Sequence, residues 1–74
     1  MLTIEEVLSI ARETAKRIVG GEMNEYFVES VTYQVKYRNW RVRFEEKGPS
    51  LSFDGCFKVF VDDTTKESEF RACP

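Results

Sequence analysis

From residue 31 to residue 44 bulky apolar side chains fall on every second position. Val31, Tyr33, Val35 and Tyr37 come first, then Trp40, Val42 and Phe44, with Ser30, Thr32, Gln34 and Lys36, then Arg41, Arg43 and Glu45, in between. A two-residue period sends alternate side chains to opposite faces of a strand, so this stretch describes two strands with one dry face. Arg38-Asn39 separates the two runs. With these two residues as the turn, Tyr37 faces Trp40, Val35 faces Val42 and Tyr33 faces Phe44, and every bulky side chain lands on one side. Asn39 tolerates a left-handed backbone and Arg38 suits it less, which leaves a longer, bulged turn open.

The N-terminal stretch has a different period. In "TIEE" the Thr3 oxygen can accept the Glu6 amide hydrogen while the Glu6 carboxylate reaches back to the Thr3 amide, a capping box. Leu2 and Val7 are placed to close a hydrophobic staple, and Ile4, Val7, Leu8, Ala11, Ala15 and Ile18 repeat at helical spacing. Glu5, Glu6, Ser9, Arg12, Glu13, Lys16 and Arg17 fill the other side, and Gly20-Gly21 supplies the backbone that stops a helix.

After "EKGPS" breaks the pattern, Phe53, Phe57, Val59 and Val61 resume alternation, with Lys58, Phe60 and Asp62 on the opposite face. "DDTTKE" reads as a polar hairpin turn and "SEFRAC" as a short last strand with Phe70 and Ala72 inward. Centring that hairpin between Thr64 and Thr65 pairs Val59 with Phe70, Phe57 with Ala72 and Cys56 with Cys73. Strands two and three keep their faces with either a tight turn near Gly48-Pro49 or a longer loop ending near Gly55, so their pairing stays open.

The expectation is an α+β fold of one domain: an N-terminal helix over about residues 3–19, packed on a four-stranded antiparallel meander with strands at about 27–37, 40–46, 56–62 and 68–73. Its core would hold Leu8, Ile18, Val31, Tyr33, Val35, Trp40, Val42, Phe44, Phe57, Val59, Val61 and Phe70. The composition, 42% hydrophobic and 32% charged, is that of a chain that folds. Apolar runs fall short of the roughly 20 residues that cross a bilayer, and the N-terminus is an acid-containing amphipathic pattern rather than a basic then greasy one. The expected location is therefore the cytoplasm, away from membranes.

The net charge of -2 is unevenly spread: residues 30–48 carry five bases against two acids, while acids outnumber bases on either side. Lys36, Arg38, Arg41 and Arg43 could grip an anion. Nucleic-acid affinity grows with the phosphates neutralised and favours aromatics interleaved with the charges, whereas here the aromatics face the other way. The wet face of a sheet is the better reading. Two cysteines without a histidine do not complete a four-ligand zinc site, and reduced thiols are expected of a cytoplasmic chain although a Cys56–Cys73 bond is geometrically open. The same lack of histidine excludes Ser-His-Asp and Cys-His catalysis, and no glycine-rich phosphate loop precedes a helix. Asp54, Asp62, Asp63 and Glu67 could pair as an acid/base or cation site, but acids also favour turns by bonding nearby amides. No enzyme activity, metal or cofactor is expected. Phe60, alone among polar neighbours near an available sheet edge, points instead to a partner. The candidate contact residues are Phe60, Lys58, Arg41, Arg43 and Lys36, and the partner would be another protein or a second copy, in a homodimeric structural protein.

"WRVRF" followed by "FKVFVDDTTKES" resembles the PepSY-like and cystatin-like small helix-plus-sheet domains, in which a tryptophan-led strand precedes one ending in valine, aspartate and a threonine-containing turn. Trp40, Val42, Phe57, Val59, Val61, Asp62 and Thr65 carry the resemblance, over roughly the second half of the chain. The turn departs from the family, where glycine commonly follows the threonine and Lys66 stands here; PepSY domains also usually sit outside the cytoplasm. The resemblance implies a noncatalytic module that binds or inhibits another protein.

Overall fold

Thr3 starts the helix as its chemistry requires. Its Oγ1 accepts the Glu6 amide at 3.1 Å and the Glu6 carboxylate accepts the Thr3 amide at 3.2 Å, so two of the free donors of a first turn are satisfied by one pair of side chains. The computed structural model describes residues 1–47 and 56–72, leaving aside the side chain of Glu22. From Thr3 runs α1 (Ile4–Val19), which ends where Gly20 turns to φ 69°, a backbone that L side chains avoid. A 3-10 turn over Gly20–Glu25 then leads into β1 (Tyr26–Gln34), followed by β2 (Asn39–Glu46), β3 (Cys56–Asp62) and β4 (Ser68–Ala72). The four strands are antiparallel in the order β1-β2-β3-β4, with α1 packed on one face of the sheet. This is the expected α+β meander.

The dry face is centred on β2 and β3. Val42, Phe44, Val59 and Val61 are fully buried, and Phe57 stacks on Phe44 with ring centres 4.8 Å apart. Tyr26 and Phe70 pack their rings on Phe57 at 4.9 and 4.8 Å, extending the aromatic layer to both neighbouring strands. α1 lies mainly across β3 and β4 and presents Val7, Ala11, Thr14 and Ala15 to them. The alanines let the helix backbone approach closely. Thr14 is tolerated there because its hydroxyl donates to the Ile10 carbonyl at 2.9 Å and shares a hydrogen bond with Ser68 Oγ on β4.

This face differs from the expected one at both ends of α1. Ile4 and Ile18 are 56% and 57% exposed, one turn beyond the buried stretch, and Leu8 is half-buried; Leu2, Val7, Ala11 and Thr14 take their place. Helical spacing marks the stripe but not where the sheet beneath it stops.

The first hairpin also differs. Tyr33, rather than Tyr37, faces Trp40, and Val31 faces Val42; a bulge at Glu29 then brings Val28 opposite Phe44. The turn is the four-residue loop Val35-Lys36-Tyr37-Arg38, in which Tyr37 N–H donates to the Gln34 carbonyl and Arg38 alone takes the left-handed backbone, at φ 52°. A two-residue turn would have needed that backbone at both central positions. In consequence Val35 and Tyr37 lie outside the core, 77% and 62% exposed. Strands β2 and β3 pair with Phe44 opposite Phe57 and Val42 opposite Val59, which rules out a tight turn centred on Gly48-Pro49; the connecting residues 48–55 lie outside the described residues. The last hairpin has the expected register, Val59 opposite Phe70 and Phe57 opposite Ala72.

The thiols are a further correction. Cys56 is disulfide-bonded, not free, and the sequence holds one other cysteine, Cys73, which lies outside the described residues.

Packing of this kind makes a direct prediction. Ala15→Leu forces bulk into a fully buried position under the helix and is expected to cost about 1–3 kcal/mol, whereas Ile18→Ser should stay within about 0.5 kcal/mol. Urea unfolding of the two variants checks both; equal effects would mean that the helix is seated on the other stripe.

Candidate functional site

Alternation along β2, β3 and β4 decides what stands on the face away from α1. Asn39, Arg41, Arg43 and Glu45 come from β2, Lys58, Phe60 and Asp62 from β3, and Glu69 and Arg71 from β4. Pairing then arranges these into cross-strand rows. Arg41 lies between Thr32 and Phe60, with Glu69 beyond Phe60; Arg43 lies between Ser30 and Lys58, with Arg71 beyond Lys58. Four of the five residues singled out from the sequence, Phe60, Lys58, Arg41 and Arg43, are thus brought together at the middle of the outer face. Lys36 is not. It sits in the β1–β2 loop, its ammonium 5.4 Å from the centre of the Tyr37 ring.

Phe60 forms part of a depression of about 330 Å³ with Gln34, Tyr37, Asn39, Glu69 and Arg71. A smaller one of about 210 Å³ adjoins it, sharing Asn39, Phe60 and Glu69. The Arg71 guanidinium stands 5.7 Å from the centre of the Phe60 ring, within cation-π range. Tyr37 was missed because the shorter turn expected from the sequence would point it inward. Arg71 and Glu69 could have been found, since the correct register of the last hairpin already sets them beside Lys58 and Phe60.

The cations are unequally neutralised. Arg43 has Glu29 at 3.8 Å and Glu45 at 3.7 Å, both beyond hydrogen-bond length, and its Nε is shielded from solvent without an acceptor. Arg71 pairs with Glu69 at 3.1 Å. Lys58 and Arg41 have no carboxylate within ion-pair distance among the described residues. Asn39 Oδ1 is also shielded without a donor, at the edge of the two depressions.

The acidic turn has another use. Asp62 Oδ1 accepts the amides of Thr64 and Thr65, each at 2.8 Å, and these bonds, that of Thr65 foremost, hold its carboxyl below the usual value. Asp63 Oδ1 accepts the Trp40 indole N–H and the Leu2 amide, each at 2.9 Å; the indole first and the amide second pull its carboxyl down as well. Both carboxylates therefore serve as acceptors that shape a turn and tie down the N-terminal arm. Asp54 lies outside the described residues. Among the described residues, acids and cysteines gather in no group of three that could hold a metal ion, and no helix is long and apolar enough to cross a membrane.

No protein-family model matches the chain, no curated protein matches it in sequence, and no solved structure matches its fold.

A depressed carboxyl contributes stability above its unfolded value, and that contribution is lost as pH falls through the folded value. Asp63→Ala is accordingly expected to lower the urea midpoint at neutral pH. The gap to the parent protein should close once pH drops below about 4. A gap that stays constant into acid would show that the charge of Asp63 has no part in holding Leu2 and Trp40.

Proposed function

We propose that this chain is a noncatalytic protein-interaction or inhibitory module whose contact surface is the outer sheet face around Phe60, Lys58, Arg41 and Arg43. The observation that carries the reading is Phe60 itself, a large aromatic on the face away from the core, set in a recess with Tyr37 and Arg71. Aromatic and arginine side chains together are the composition that anchors protein interfaces, and a recess beside them offers a seat for a partner's side chain. Lys36 reaches this surface only through Tyr37.

The resemblance to PepSY-like and cystatin-like domains supports the same reading. Those domains are helix-plus-sheet modules, and position 66, where they commonly have glycine, has here the left-handed backbone glycine favours, with Lys66 at φ 67°. The bond at Cys56 fits an oxidising compartment in place of the cytoplasm expected from the N-terminal pattern.

A homodimer is the second reading. It is favoured by the outer edge of the sheet at β1, where nine residues carry a single charge, Glu29, and Phe27 is 44% exposed. Sedimentation at micromolar concentration separates the two, since a strict monomer removes the dimer.

Partners recovered from native lysate on the immobilised protein provide the main test. Phe60→Ala and Arg43→Glu are each expected to weaken a direct partner about tenfold or more. If both variants bind every recovered partner as tightly as the parent does, the outer face is not the contact surface.

A further inference from the structure

One cross-strand row of the outer face reads Ser30, Arg43, Lys58, Arg71. Arg43 is directly opposite Lys58, and Lys58 directly opposite Arg71, so three cations stand side by side on three adjacent strands. Directly opposed side chains have Cβ atoms only about 4.5–5.5 Å apart, and like charges there work against the sheet. The neighbouring row does not do this: it runs Arg41, Phe60, Glu69. The flanking carboxylates reach the two ends of the row and not its centre. Glu29 and Glu45 both lean toward Arg43 from beyond hydrogen-bond distance, Glu69 takes Arg71, and Lys58 at the centre has no carboxylate among the described residues.

We infer that Arg43, Lys58 and Arg71 form a receptor row for carboxylates of a partner protein, an acidic segment laid across β2, β3 and β4 with an apolar side chain in the recess at Phe60. This rests on the outer-face reading above and names the chemistry of what that face receives. Charge complementarity selects the occupant. Glu29, Glu45 and Glu69 flank the row, and the chain as a whole carries -2, so a polyphosphate strand would run from the cations into carboxylates. A short acidic segment of a protein ends where the row ends.

The test is Lys58→Glu, which turns two like-charge contacts into two opposite-charge ones, with Lys58→Gln as the variant that only removes charge. Lys58→Glu is expected to raise the thermal midpoint by about 2–8 °C, with a smaller rise for Lys58→Gln. Binding is read by NMR titration of the labelled protein with a capped peptide of glutamates flanking one phenylalanine, with its glutamine counterpart, and with a short oligothymidylate. The glutamate peptide should move the amides of Arg43, Lys58, Phe60 and Arg71, less so as salt is added, and should not move them in Lys58→Glu. A lowered midpoint in both variants, an equal response to the glutamine peptide, no response to the glutamate peptide, or tighter binding of the oligothymidylate would each overturn the inference. A recovered partner weakened by Phe60→Ala but indifferent to both Lys58 variants would remove the carboxylate row and leave the outer-face reading standing. Indifference to both Phe60→Ala and Arg43→Glu removes that reading itself.

Discussion

One helix can dry only one face of a four-stranded sheet, and among the described residues α1 is the only α-helix. The seating of α1 on β3 and β4 therefore decides the rest. Ala11 and Ala15 are fully buried at this contact, and Val7 and Leu2 join Phe44 and Phe57 in the same core. A domain of this size buries only about 60% of the surface its unfolded chain exposes, so few contacts are spare. Once that face is dry, everything placed opposite has to live with water, and the outer face is mostly polar, with Phe60 on β3 and Phe27 on β1 as its large apolar members.

Long-range hydrogen bonds hold the helix in register with the sheet. Asp63 takes the Leu2 amide from the N-terminal arm and the Trp40 indole from β2 on a single oxygen, while its own amide donates to the Arg38 carbonyl in the first hairpin loop. Lys66 adds a contact to Glu6 at 3.9 Å, exposed enough to contribute little. Three separate parts of the chain thus meet at the β3–β4 turn. The role of Asp62 in that turn was legible, because its bonds reach only two and three residues along. That of Asp63 was not, because its partners are 61 and 23 residues distant.

The same distinction separates what the sequence could say about the strands. Alternation assigned faces correctly in β2, β3 and β4, and a local turn fixed the β3–β4 register. Between Ser30 and Gln34 the first hairpin slid by four residues, an even number, and an even slip keeps each of those side chains on its own face. Nothing in the alternation itself could detect the error; the disqualifying facts were the backbone required at Arg38 and the extra residue absorbed at Glu29. The consequence for the site was specific. Arg41, Arg43, Lys58 and Phe60 belong to strands whose faces were readable, so they were grouped correctly, while Tyr37 and Lys36 belong to the loop that was read as strand.

Why an outer face so constrained should carry three adjacent cations is a matter of comparing two states. In the isolated domain the row is a liability of the size of a cross-strand pair interaction, set against a total stability of about 5–15 kcal/mol for folded proteins at large. The thirteen acids of the chain outnumber its eleven bases, so shortage of negative charge does not account for it. Against a carboxylate-bearing partner the sign reverses, because water leaves the contact, screening falls and each cation gains a charge-assisted bond. On the proposed reading, Glu29, Glu45 and Glu69 beside the row would repel negative charge that extends past it, which disfavours a long polyanion more than a short acidic segment.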